Sequence, residues 1–164
     1  MTLDEYGFVL VDVQAGTDPS FLLQRISRGD ENNSLNNAIK DEVFIRRYNQ
    51  SPVSPTGLSP SGNDLCPWDL ILAASEFSDP DIQDGHGASH WQISDDCDDF
   101  ASPLWESWKQ HENWYRDEDL QAGDDLTDEA VASLNSGGSY CWRVRYRDRG
   151  LTWSPWSTPM AFST

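Results

Sequence analysis

Apolar positions along this chain fall in short clusters separated by turn residues. Residues 6–13 are rich in aromatic and β-branched types and predict a strand. Thr17, Asp18 and Pro19 then read as a helix start, a capping residue followed by proline in the first turn. A short helix over 20–28 follows from that reading, with Gly29 as its stop. Residues 30–37 are polar and Asn-rich, a loop, and Val43, Phe44 and Ile45 mark a second strand within 42–48. This segment holds too few apolar residues for a core of its own. It must pack on the rest of the chain or dock on a partner. Docking is the reading adopted, with Phe8, Leu10, Phe21, Leu22 and Phe44 as its apolar contacts.

Residues 51–62 are rich in Pro, Ser and Gly and read as a hinge into a new domain. Beyond it, short β-type runs alternate with turn signals at 69–74, 90–94, 103–108 and 126–134. Within 90–94, Trp91 and Ile93 share one face. Residues 140–147 carry the clearest alternation. Tyr140, Trp142, Val144 and Tyr146 fall on one side, and Cys141, Arg143, Arg145 and Arg147 on the other. The first set is core and the second a column of cations on an outer sheet face. After a turn at 148–150 comes Trp153-Ser154-Pro155-Trp156-Ser157. An antiparallel last strand here would lay Trp153 and Trp156 beside Arg143, Arg145 and Arg147 as an interleaved ladder of indoles and guanidinium groups. No internal repeat is present, so one sandwich is expected.

These residues resemble a fibronectin type III domain. Leu134, Gly137, Gly138 and Tyr140 are similar to the family's tyrosine corner, in which the phenol ties back to the preceding chain crossing. Residues 153–157 resemble the WSXWS box of some such domains. The combination with the 90–94 and 140–148 strands resembles domains of microbial surface and tailed-virus proteins. The resemblance covers residues 52–164. It implies an all-β fibronectin type III or immunoglobulin-like sandwich over 63–164, a hinge at 51–62, and a docking arm or small α/β appendage of mixed structure over 1–50.

Composition narrows the function. Net charge is −17, and Lys40 and Lys109 are the only lysines. Such a surface repels phosphate backbones, which argues against nucleic-acid binding, and suits a saline or halophilic setting. Residues 1–5 have no basic stretch leading into a long apolar run, so synthesis in the cytoplasm without a leader is expected. No apolar run reaches membrane-span length. The odd count of cysteines, Cys66, Cys97 and Cys141, matches no zinc spacing; one disulfide is allowed and none is indicated.

Candidate chemistry is sparse. Asp79, Asp81 and Asp84 share a loop that could hold Ca²⁺, although the spacing is not an EF-hand's and a solvated turn is the simpler reading. Residues 95–99 read as a charged exposed turn at the opposite end of the sandwich. His86 and His90 with Asp84 are the nearest approach to a transition-metal set, and His111 stands apart. No nucleophile–base arrangement stands out, so no enzyme and no required cofactor is expected. Trp105, Trp108, Trp114 and Tyr115, with Trp68, are candidate contacts for a sugar or protein partner. Trp105 and Trp108 should face opposite sides of their strand.

Two functional expectations follow. The first is a virion structural protein made in host cytoplasm: a head decoration, tail or fibre component of a tailed virus. It would bind other virion proteins through residues 1–50 as part of an oligomeric assembly, with a host-surface glycan or protein as a further contact. The alternative is a carbohydrate- or protein-binding accessory module of a microbial surface or secreted protein, located outside the cell. A third setting, a cytoplasmic adaptor, has no particular support.

Overall fold

The structure is a computed structural model, which describes residues 6–29, 37–115 and 118–164. Strands β1 (Tyr6–Gln14), β2 (Ser20–Gly29) and β3 (Ala38–Arg46) lead the chain. β4 (Gly57–Ser59), β5 (Leu70–Ala74), β6 (His86–Ser94) and β7 (Trp105–Gln110) follow. A short hairpin of β8 (Trp114–Tyr115) and β9 (Glu118–Asp119) precedes β10 (Asp128–Val131), β11 (Ser139–Asp148) and β12 (Met160–Ser163). No helix among the described residues is long and apolar enough to cross a membrane.

The first three strands form one antiparallel sheet in the order β1-β2-β3. Residues 20–28 are therefore not the helix expected from Asp18 and Pro19, and residues 1–50 are not of mixed structure where they are described. Local capping signals lose to pairing on both edges: β2 is central, and its neighbours are rich in β-branched and aromatic residues. Gly29, at φ +72°, closes the strand instead of stopping a helix.

The rest is a sandwich of a three-stranded sheet, β10-β5-β4, on a four-stranded sheet, β12-β11-β6-β7. This three-on-four strand order is that of a fibronectin type III-like fold. Its core lies where β5 meets β6 and β11. Leu72, Trp91, Ile93, Trp142, Val144 and Tyr146 are fully buried there. The register sets Trp142 opposite Ile93 and Val144 opposite Trp91, so inward residues of neighbouring strands stack in rows. The Tyr146 hydroxyl donates to Ser75 O at 2.8 Å and Trp142 Nε1 donates to Pro60 O at 2.9 Å, so both large rings are buried with a polar partner. At the chain crossing before β11, Tyr140 Oη donates to Asn135 O at 3.1 Å, and Leu134 packs on the core. A Cβ at Gly138 would run into the Tyr140 ring.

Two expectations need correcting. The stretch read as a hinge carries β4. Val53 N donates to Ser78 O at 2.9 Å, Ser54 Oγ donates to Trp156 O at 2.9 Å, and Pro52 and Pro55 are buried. Its prolines edge a sheet and are not a flexible joint. The last strand is β12, beyond residues 153–157, which instead run as an irregular extended segment along β11. Cys97 and Cys141 form a disulfide that ties the loop after β6 to β11, while Cys66 is a free, exposed thiol.

Candidate functional site

The N-terminal sheet has two unequal faces. Given its register, Phe8, Leu10, Leu22 and Phe44 lie on one face and Phe21 with Val9, Val11 and Val13 on the other. All residues of β1 are exposed, including Phe8 at 47%, Leu10 at 48% and Val13 at 72%. Asp12 is the only charge on the strand. β1 is also an edge: it pairs with β2 on one side, and no described strand pairs with it on the other. Natural edges are usually blunted by lysine, proline or a bulge within them. Here β1 is long and apolar, its one register irregularity lies at its start between Tyr6 and Gly7, and no described strand covers its outer side.

One end of this sheet is tied to the sandwich. Arg46 Nη2 lies 3.0 Å from Asp84 and 3.3 Å from Asp81. Asn49 Nδ2 donates at 2.8 Å to both Asp148 Oδ2 and Thr152 Oγ1. The Lys40 ammonium sits 4.2 Å above the Trp114 ring. These contacts between described residues are polar and lie on β3 and the segment after it, and none of them involves β1.

On the outer face of the four-stranded sheet the guanidinium groups and rings alternate. Arg143 lies 4.1 Å from the ring centroids of both Phe100 and Trp156. Arg145 lies between Trp156 at 4.4 Å and Trp153 at 4.5 Å, and Arg147 is 5.6 Å from Trp153. The serines hold the segment in place. Ser154 N donates to Tyr146 O and Ser157 N to Val144 O, both at 2.8 Å. In return the Ser154 and Ser157 hydroxyls accept from Tyr146 N and Val144 N at 3.0 Å. Hydroxyls thus replace the carbonyls a regular strand would offer, and the backbone donors of β11 stay satisfied.

Behind the ladder lies a polar layer that the sequence reading missed. Gln92 Oε1 accepts from Arg143 at 2.8 and 3.0 Å. His90 Nδ1 accepts from Arg145 at 3.1 Å, and its Nε2 donates to Glu106 at 3.2 Å. Burial holds the His90 pKa below its usual value, and the Arg145 guanidinium adds to this against Glu106, so His90 is neutral and its tautomer fits both bonds. Phe100 offered no strand periodicity to flag it.

The candidate binding aromatics do not converge. Trp105 packs against the core, while Trp108 is half-exposed on the outer face, stacked on His90 at 3.9 Å and edge-on to Trp153 at 5.2 Å. Trp114 and Tyr115 belong to the small hairpin, and Trp114 carries Lys40 on its ring. Among the described residues no ring contact pairs any two of Trp105, Trp108, Trp114 and Tyr115 into a platform for sugar stacking.

The acidic loop is divided. Asp81 accepts from Gln50 N and Nε2 and pairs with Arg46, and the Gln50 bonds hold its pKa low. Asp79 and Asp84 instead group with Asp148 from the end of β11, with carboxylate oxygens within 4.8 Å. Burial raises the pKa of both Asp79 and Asp148. Asp148 shares the even-numbered, inward side of β11, so alternation alone could have flagged it as a buried carboxylate. The 95–99 cluster spends its side chains on its own turns: Asp96 accepts from Asp98 N at 2.9 Å and Asp99 from Ala101 N at 2.8 Å. The histidines are scattered. His86 stacks on Phe77 and tilts against Tyr146, His90 backs the ladder, and His111 Nδ1 donates to Gly87 O at 3.1 Å.

No protein-family model matches the chain, and no curated protein sequence does. Two solved structures are similar to it in part. An α-L-rhamnosidase from Dictyoglumus thermophilum is similar with a TM-score of 0.49 and 15% identity over 71% of this chain. The fibronectin(III)-like modules of Clostridium thermocellum CbhA are similar with a TM-score of 0.49 and 8% identity over 92% of this chain. The chain spans 12% of the first structure and 64% of the second. The fold assignment rests on the strand order itself.

Proposed function

We propose that this chain is a non-catalytic, protein-binding accessory module of a microbial surface or secreted protein, attached to its partner through the N-terminal sheet. The observation that carries this reading is β1, an exposed apolar edge strand with one charge in a chain of net charge −17. Edge strands of this kind add to a neighbouring sheet: main-chain hydrogen bonds give affinity and alternate side chains give selectivity. The scattered aromatics favour a protein partner over a sugar.

The tailed-virus setting would use the same docking mode. The disulfide between Cys97 and Cys141 favours the surface or secreted setting, because disulfides persist in oxidising compartments and are rare in the reducing cytoplasm where virions assemble. The test is recovery of the tagged chain from its native source. The wild-type chain is expected to co-purify with one stoichiometric protein, and Phe8→Asp with Leu10→Asp to lose it while keeping the sandwich's melting midpoint. Equal recovery by both proteins would reject attachment through β1.

A further inference from the structure

β1 sets conditions on any strand that adds to it. Its register irregularity lies between Tyr6 and Gly7, which leaves residues 7–14 as the regular stretch. A strand of ordinary length, about five or six residues, centred on this stretch covers Asp12. Side chains alternate along it: Phe8, Leu10 and Asp12 lie on one face, and Val9, Val11 and Val13 on the other. The incoming residue opposite Asp12 therefore shares a face with those opposite Leu10 and Phe8.

Asp12 is exposed, and its described neighbours on β2 are neutral. Leu22 stands directly opposite it, with Ser20 and Gln24 at the flanking positions of the same face. On β3 beyond, Arg46 is taken up by Asp84 and Asp81. In water the Asp12 carboxylate needs no partner. Under an added strand it loses hydration, and a cation on the new neighbour offsets that penalty. The residue directly across an antiparallel pair has its Cβ about 4.5 to 5.5 Å away, within reach for a charge pair. The net charge of −17 acts in the same direction at long range, drawing in basic segments and repelling acidic ones. A neutral strand leaves Asp12 unpaired, and an acidic one sets like charges opposite each other.

We infer that the partner segment added to β1 is a basic strand. It runs antiparallel to β1, as β2 does, and places a lysine or arginine opposite Asp12. Apolar side chains follow two and four residues later, opposite Leu10 and Phe8. This rests on the docking reading and names the partner's chemistry. Phe8 and Leu10 set how tightly a strand adds, and Asp12 sets which strand.

The test uses the full chain, amide chemical shifts and three short peptides. The first is acetyl-Ser-Lys-Thr-Leu-Thr-Phe-Ser-amide. The second carries glutamate in place of its lysine, and the third is the first in reverse order. The lysine peptide is expected to shift the amides of residues 8–13 saturably, at least about fivefold more tightly than either of the others. Because the overall charge also favours that peptide, Asp12→Lys separates the local pairing from the long-range field. It moves the net charge of −17 by only two. It should nevertheless lower the ratio of lysine-peptide to glutamate-peptide affinity by at least about fivefold. An unchanged ratio in that variant, tighter binding by the reversed peptide, or no shift within β1 would overturn the inference. So would tighter binding of the lysine peptide to Asp12→Asn than to the wild type, which would make Asp12 a guard against strand addition. The Phe8 and Leu10 variant separately reads the docking. Equal peptide affinities, with that variant still losing its partner, sink the basic strand alone.

Discussion

At the scale of single residues, the ladder's stability depends on a few side chains with more than one partner. Trp156 lies between two guanidinium groups and tilts against His90 at 4.9 Å. Trp156→Ala should lower unfolding free energy by about 2 to 4 kcal/mol, read from urea melts, since it removes a large ring and two cation–π contacts. Arg145→Lys should cost less than Trp156→Ala but more than an ordinary surface change, because an ammonium cannot lie flat between two indoles. Ser157→Ala should cost about 1 to 3 kcal/mol by leaving buried Val144 N without its acceptor. His86 is a more finely balanced case. Its Nδ1 faces Asp125 O at 3.1 Å and its Nε2 faces Ser89 Oγ at 3.0 Å, and Ser89 donates onward to Leu126 O, a set of partners that suits a charged ring. Burial beside Phe77 and Tyr146 outweighs this and lowers the pKa to about 4. The unfolded chain therefore binds its proton first as pH falls. Stability should drop between the ordinary histidine range and about pH 4, by up to roughly 3 kcal/mol, and level off below. Subtracting the pH dependence of His86→Gln from that of the wild type isolates this contribution. A difference that grows in the opposite direction would mean the hydrogen bonds win.

At the scale of elements, β11 organises the molecule. Its even side builds the core and its odd side the ladder. Its edges hold β6 on one side, and β12 and the 153–157 segment on the other. That much was legible in residues 140–147, where large apolar residues alternate with Cys141 and three arginines. The N-terminal strands were less legible. Asp18 and Pro19 gave a genuine capping signal, and nothing local in 20–28 reveals that two strands pair with it from either side. β4 was hidden for a similar reason, because its prolines look like a linker when read locally. The Arg46 and Asn49 ties were not legible at all, since they join residues 38 and 99 positions apart. The disulfide lies at the same level. It closes a loop with a sequence separation of 44, so chain entropy alone assigns it up to about 4 kcal/mol. Melts with and without reductant should differ clearly, with the oxidised chain the more stable.

At the scale of the whole molecule, the chain's charge of −17 falls mostly on residues 51–164, while β1 carries Asp12 alone. Adding neutral salt should raise the thermal midpoint, as screening relieves repulsion that the folded state concentrates. A flat response would mean that ion pairs such as Arg46 with Asp84 offset the imbalance. The same charge distribution shapes association. Repulsion between acidic sandwiches opposes self-association, and on the proposed reading the nearly uncharged edge is where a partner approaches. Whether a partner covers this edge in the native complex is read by hydrogen–deuterium exchange of the β1 amides in the isolated chain and in the purified complex. Alternate amides from Gly7 to Val13 should gain at least about tenfold protection in the complex, matching the side of β1 that faces away from β2. Identical exchange of those amides in both states would contradict it.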